Sequence, residues 1–439
     1  MARLPFESEY LYGLHDPGGE HLMAEAGRRG WILFTEEVGH DPAASRRSDR
    51  YADLASRGFG IIVRLNNGYY NAGTLPHSSQ YGNFARCCAN FVANSPGAHI
   101  WVIGNETNLA AERPGVELEG WRGEARSARD FRDLLSVFAD KSRGEGDILT
   151  PGETITPEMY VRCYTLCRNA IRSLPGRGQD LVVVGGVAPW NINSGDWIDY
   201  FRRILELLGP TGCDGISLHT YTHGVSPDLV HSPDKMQSHP NRHYHFRAYQ
   251  DFMHAVPATM RHLPIYITET DQDDAWDLNT REWVQRAYGE IDHWNQQPGH
   301  QQIRALILYR WPRLGDHKWW IDGNQSVIDD FRRAMGHGYR WKADAGPGPT
   351  PISSGFQPGQ AAAISSTANL RRTPGHVGKP GDDVLASLAA GAPVTVLGAS
   401  QAADGLTWWP VRTTLGDGRT VEGWIAHRTP GGTALLATV

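Results

Sequence analysis

The chain is poor in cysteine, with 5 in 439 residues. That is too few for a disulfide scaffold, and no C-x-x-C pair suggests zinc or thiol redox chemistry. No stretch approaches the roughly 18 apolar residues that cross a bilayer, so no membrane span is expected. The start, Met1-Ala2-Arg3-Leu4-Pro5, lacks the apolar run of a secretory leader. The protein is therefore read as cytoplasmic, or as extracellular or surface-attached if a leader has been removed. Lys and Arg form no run able to track a phosphate backbone and the net charge is -6, which argues against a nucleic-acid partner. No internal repeat is evident.

What is present is ordinary core material, 40% hydrophobic and 21% charged, with 15 Trp and 16 Tyr whose flat faces suit sugar rings. Short apolar runs alternate with segments of helical period, the pattern of parallel βα units. Strands are expected at Tyr10–His15, Trp31–Thr35, Gly60–Leu65, Ile100–Gly104, Leu181–Gly185, Gly215–His219, Ile265–Thr268 and Ala305–Tyr309. Helices are expected at Ala43–Arg57, Gln80–Asn94, Pro157–Leu174, Asp196–Leu208, Tyr244–Met260, Thr280–Gln296 and Ser326–Met335. Eight strands with helices between them predict a closed (β/α)8 TIM barrel over residues 1–342. Two connections are long: 109–156, with its own helix around Ala128–Ala139, and 223–242. Both follow strands and are expected to wall a substrate groove. Cys87 and Cys88 fall on one predicted helix and Cys163 and Cys167 on the next, leaving open a bridge or a set of small buried thiols.

After Trp341 the composition changes. Residues 343–366 are Gly, Pro, Ala and Ser, a linker composition. Residues 367–439 alternate in short strands, Pro393–Leu397, Trp408–Arg412 and Val421–Ala426, with Asp-Gly turns at 404–405 and 417–418, and predict a small all-β barrel.

Two carboxylates stand where the chemistry would be. The fourth strand runs into Gly104-Asn105-Glu106 and the seventh into Glu269, both at the C-terminal rim. Opposed strands can bring two such groups to roughly 5 Å, the spacing of a retaining glycosidase, in which one carboxyl protonates the leaving oxygen and the other attacks the anomeric carbon. Further candidates share that rim: His15 and Asp16, Trp190 and Asn191, His219 and Tyr221, and Trp311. Arg64 either holds a carboxylate ionised or pairs with Glu36 or Glu37. Asp271, Asp273 and Asp274 read as a solvated loop or a polar contact.

These motifs make the first three quarters of the chain resemble clan A of the glycoside hydrolases, barrels with an Asn-Glu acid/base after strand four and a Glu nucleophile after strand seven. The resemblance implies Glu106 as acid/base, Glu269 as nucleophile, and Asn105 on the sugar 2-hydroxyl. It implies His219 or Tyr221 near the nucleophile or sugar, and Trp311 as the platform of the central subsite; plain packing is the alternative for each of the last three. No metal or cofactor is implied. The tail, through NLRRTPG, GLTWWPVR and EGWIAHR, resembles the bacterial SH3-like domain, which implies binding to cell-wall or surface glycan, with Trp408 or Trp409 exposed for it. The expected function is a retaining β-glycoside hydrolase acting on an oligo- or polysaccharide. The alternatives are a peptidoglycan or amino-sugar-polymer hydrolase, a non-catalytic glycan-binding barrel, and a metal-dependent hydrolase prompted by the 19 histidines.

Overall fold

The computed structural model describes residues 3–44, 47–118, 148–272, 275–313, 319–341, 356, 359–376, 379, 381–398, 400–404, 406–429 and 434–438. The chain divides into two compact units, Met1–Ala343 and Asp344–Val439.

In the first unit eight parallel strands close a barrel: β1 (Tyr12–His15), β2 (Trp31–Glu37), β3 (Gly60–Asn66), β4 (Ile100–Ile103), β5 (Leu181–Val184), β6 (Gly215–His219), β7 (Ile265–Thr270) and β8 (Ile303–Leu308), with β8 pairing back to β1. Both faces of each strand are covered, which is why the strands read as unbroken apolar runs. One set of alternate residues, Trp31, Leu33, Ile62, Ile100, Val102, Val183, Tyr266, Ala305 and Ile307, packs together inside the barrel. The other set packs outward against the helices.

Among the described residues the helices are α1 (Glu20–Glu25), α2 (Arg50–Ser56), α3 (Tyr81–Ala93), α4 (Pro157–Arg172), α5 (Trp197–Leu208), α6 (Ala248–Ala255), α7 (Trp283–Gln296) and α8 (Gln325–Gly336). Where caps are strong the sequence reading starts them correctly: Thr156 with Pro157 opens α4, and Asp196 accepts from Ile198 and Asp199 to open α5. Elsewhere the helices depart from expectation, α7 beginning at Trp283 rather than Thr280. α1 has only six residues and no side-chain cap, so nothing announced it. α2 begins at Arg50 rather than Ala43. α6 begins at Ala248 rather than Tyr244, because the carbonyls of Tyr244 and Phe246 accept from His223 and Thr220 in the loop after β6. The helix expected around Ala128–Ala139 lies outside the described residues. All five cysteines are buried, and Cys88, Cys163, Cys167 and Cys213 are in no disulfide, although α3 and α4 lie side by side.

The second unit is an eight-stranded antiparallel sheet around Ile364, Leu370, Val396, Trp409, Val411 and Ile425. Ala361–Ile364, expected as linker, is a strand paired with Pro393–Val396, and Phe356 joins the core. Three alanines in a row carry too little pattern to show alternation. Trp408 and Trp409 are both buried, against the expectation that one is exposed. Trp409 enters the core, and the indole N–H of Trp408 donates to the Ala403 carbonyl.

Candidate functional site

The inward rows of the strands deliver the site. Arg64 stands two residues beyond the inward Ile62, so the period of two carries it into the barrel mouth. Glu269 would not get there by period alone, since it lies three residues beyond the inward Tyr266. The β6–β7 register supplies the correction: Leu218 pairs with Ile267 but His219 pairs with Glu269, a bulge of one residue that re-aims the side chain. Glu106 arrives differently, on a left-handed turn. Its φ is 40° and that of Gly104 is 72°, and the Glu106 N–H is anchored to the Gly186 carbonyl at 2.9 Å. A non-glycine residue there costs roughly 1–3 kcal/mol, which the surrounding structure must offset.

One oxygen of Glu106, one oxygen of Glu269 and a ring nitrogen of His219 lie within 4.8 Å of one another. The two carboxyls have different company. Glu269 Oε1 is 2.5 Å from Arg64 Nη1 and 3.8 Å from His15 Nε2, and its Oε2 accepts from Tyr221 at 3.0 Å. Burial pushes the Glu269 carboxyl up, but Arg64, with His219 and His15, outweighs it and holds it down at about 2. Glu106 Oε1 is 2.8 Å from His219 Nδ1 and 3.5 Å from the Tyr221 hydroxyl. His219 Nε2 is buried without a partner, with Gly186 packed against it, so Nδ1 is the nitrogen that can exchange a proton with Glu106. The Tyr221 phenol is pushed far up by burial and by both carboxylates, and stays a donor.

Arg64 itself is fixed from three sides. Its Nη1 also donates to Asn105 Oδ1 at 2.8 Å, and its Nη2 is 3.3 Å from His15 Nε2. His15 Nδ1 in turn is 3.1 Å from Asp16, and burial lowers the His15 pKa. The alternative pairing of Arg64 with Glu36 is overturned, because Glu36 takes Arg50 at 2.9 Å and Tyr51 at 2.6 Å.

Trp311 stands at the same rim. Its backbone N–H donates to the His15 carbonyl, and Gly18 and Gly19 lie flush on its indole; a Cβ on Gly18 would be 2.6 Å from the ring. Trp190 lies 6.1 Å, ring to ring, from Tyr221. Asn191 Oδ1 accepts the Asn193 N–H at 3.1 Å in the turn after β5. Asp271 is buried rather than solvated, while Asp273 and Asp274 lie outside the described residues. One residue was missed. Glu112, on a short 3-10 turn, is buried beside the pair, where burial first and then the charges of Glu106 and Glu269 raise it to about 8, against a hydrogen bond from Asn105. Only the spacing Asn-Glu-x5-Glu could have hinted at it, and that spacing has no meaning outside this loop.

No family model and no curated protein matches the chain. Solved structures do overlap it. A Cellulomonas fimi endo-β-1,4-mannanase double mutant is 13% identical over 90% of this chain and 86% of its own, with a TM-score of 0.41. A GH18 chitinase from Pseudoalteromonas aurantia is 13% identical over 74% and 98%, at 0.40, and a fungal β-1,4-galactanase 11% identical over 72% and 90%, at 0.41. Overlaps this loose carry no argument about chemistry, which rests on the site alone. Among the described residues no helix is long and apolar enough to cross a membrane.

Proposed function

We propose that the chain is a retaining β-glycoside hydrolase acting on an oligo- or polysaccharide. The observation that carries this is the asymmetry of two carboxyls within 4.8 Å, one pinned by a buried arginine and the other joined to a histidine. Their closeness suits the roughly 5 Å of a retaining pair and leaves no room for the water that an inverting pair needs at about 6.5–9.5 Å. Glu269 attacks the anomeric carbon as a carboxylate while Glu106 gives its proton to the leaving oxygen, whose bond to that carbon breaks. A water then yields a proton to Glu106 and its oxygen to the anomeric carbon, and Glu269 leaves as the carboxylate. Asn105 and Arg64 position the nucleophile, and Tyr221 donates to it throughout.

The second reading, a metal-assisted hydrolase, is favoured by the Glu106–His219–Glu269 cluster, a donor set that could hold a divalent ion. Against it stands Arg64, whose buried positive charge already sits on Glu269 and would repel the ion. Exhaustive chelation should leave activity intact. The decisive test is a 2-fluoro aryl glycoside series read by mass spectrometry: the adduct is expected on Glu269, and turnover that never labels it removes the assignment. The second unit is proposed as an SH3-like module for surface glycan, supported by its compact antiparallel sheet; pull-down of the full chain on purified cell wall tests it.

A further inference from the structure

The loop that follows Glu106 folds back on itself and brings a third carboxyl, Glu112, to the pair. The Leu109 N–H closes one turn on the Glu106 carbonyl at 2.8 Å, and the Glu112 N–H closes a second on the Leu109 carbonyl at 3.2 Å. Both flanks of this loop are pinned. Toward the turn after β5, the Asn108 side-chain amide exchanges two hydrogen bonds with the Ala188 backbone, at 2.8 and 2.9 Å, and Arg113 donates to the Ser194 hydroxyl at 3.0 Å. Toward β3, the buried Thr74 holds the two ends of the loop together. Its hydroxyl donates to the Asn105 carbonyl at 2.7 Å and its N–H to the Glu112 carbonyl at 3.1 Å. Glu112 is thereby returned to Asn105.

The Asn105 side chain lies between two partners that fix which way round its amide stands. Arg64 can only donate, so the atom 2.8 Å from its Nη1 is the amide oxygen. The amide nitrogen then faces Glu112, whose carboxyl accepts from it. That nitrogen carries two N–H bonds, and Glu112 takes one of them. Since Arg64 Nη1 also holds Glu269 Oε1, the amide stands one guanidinium nitrogen away from the nucleophile. The part of a sugar nearest to it is the substituent on the carbon next to the one that Glu269 attacks. Burial first, then the charges of Glu106 and Glu269, raise the Glu112 carboxyl to about 8 against Arg64 and Asn105. At neutral pH it is an uncharged acceptor, and it does not draw Arg64 away from Glu269.

We propose that Glu112 is a positioning residue: by holding one N–H of Asn105 it aims the other at the 2-hydroxyl of the sugar ring bound at Glu269. The inference rests on the glycosidase reading and narrows its substrate to glycosides that carry a hydroxyl at position 2. A hydrogen bond beside the reacting carbon strengthens as that carbon gains charge, so its effect is felt in the transition state more than in the bound substrate.

The test compares an aryl β-glycoside with its 2-deoxy analogue on the full chain and reads the ratio of kcat/KM for the two, in which the intrinsic reactivity of each substrate cancels between variants. In Glu112→Ala this ratio is expected to fall roughly tenfold, through kcat rather than KM. Glu112→Gln, which keeps an acceptor for the amide, should restore it. Asn105→Ala should lower the ratio at least as much, and adding Glu112→Ala to it should lower it no further. Glu112→Leu, which fills the same space without an acceptor, takes the place of the alanine variant if that one lacks a cooperative melt. An unchanged ratio in Glu112→Ala or in Asn105→Ala, no restoration by Glu112→Gln, or a further fall in the double variant overturns the positioning role while leaving the nucleophile standing. If an active preparation never labels Glu269 with a 2-fluoro glycoside, the glycosidase reading falls and the role of Glu112 with it.

Discussion

Glu269 sits between opposed forces, and the balance sets a pH dependence. Burial disfavours its charge, yet Arg64 at 2.5 Å keeps it ionised down to about pH 2. Since the folded value lies below the ordinary 4.5, the pair's contribution to stability is whole above pH 4.5 and is lost as pH falls toward 2. In Arg64→Met burial is left unopposed by the guanidinium, so the acid limb of kcat/KM should climb by at least about two pH units; a limb that stays put would show that Arg64 does not govern the nucleophile. Glu112 has the opposite sign. Raised to about 8, it keeps in the folded state a proton that the unfolded chain releases near 4.5, so stability should decline from pH 4.5 to about 8 and then level. Glu112→Gln should flatten that decline in urea midpoints measured against pH. Arg64 and His219 were legible in the sequence because a period of two places them at a rim. Glu112 was not, because its place depends on a turn whose path no local pattern specifies.

At the scale of the elements, the strands were legible nearly to the residue, since burial on both faces leaves an apolar run bounded by polar rims. Element ends that serve the site were not: α6 begins four residues late because the backbone ahead of it is used to hold the loop after β6, and the bulge that turns Glu269 inward leaves no mark in composition. Gly186 is where element and site meet. It follows β5, its carbonyl anchors Glu106, and a Cβ there would stand 2.5 Å from His219 Nε2. Gly186→Ala should therefore displace the imidazole from Glu106 and cost about 1–3 kcal/mol in overpacking, with kcat falling well beyond what the shift in thermal midpoint explains. Gly195→Ala is the companion. Its φ of 85° strains any side chain, but its Cβ would meet open space, so it should lower the melting temperature without moving kcat. If both variants behave alike, the Gly186–His219 contact has no catalytic meaning.

At the scale of the molecule, every group in the proposed chemistry belongs to the first unit. Glu106, Glu269, Arg64, His15, His219 and Tyr221 all lie within Met1–Ala343, as do the partners given for them above. The second unit has a hydrophobic cluster of its own, drawn from Phe356 through Leu436, so each should fold without the other. A chain ending at residue 343 is expected to turn over a soluble oligosaccharide with kcat/KM within about twofold of the full protein, as independent units should be additive. The prediction separates two roles for the tail. If its work is attachment, deletion leaves soluble turnover alone and lowers activity only on an insoluble glycan, through the lost effective concentration at the surface. A shortened chain that folds, by circular dichroism and a cooperative melt, yet loses soluble turnover would show that the second unit contributes to the site itself, and the division of labour argued from the contacts would have to be abandoned.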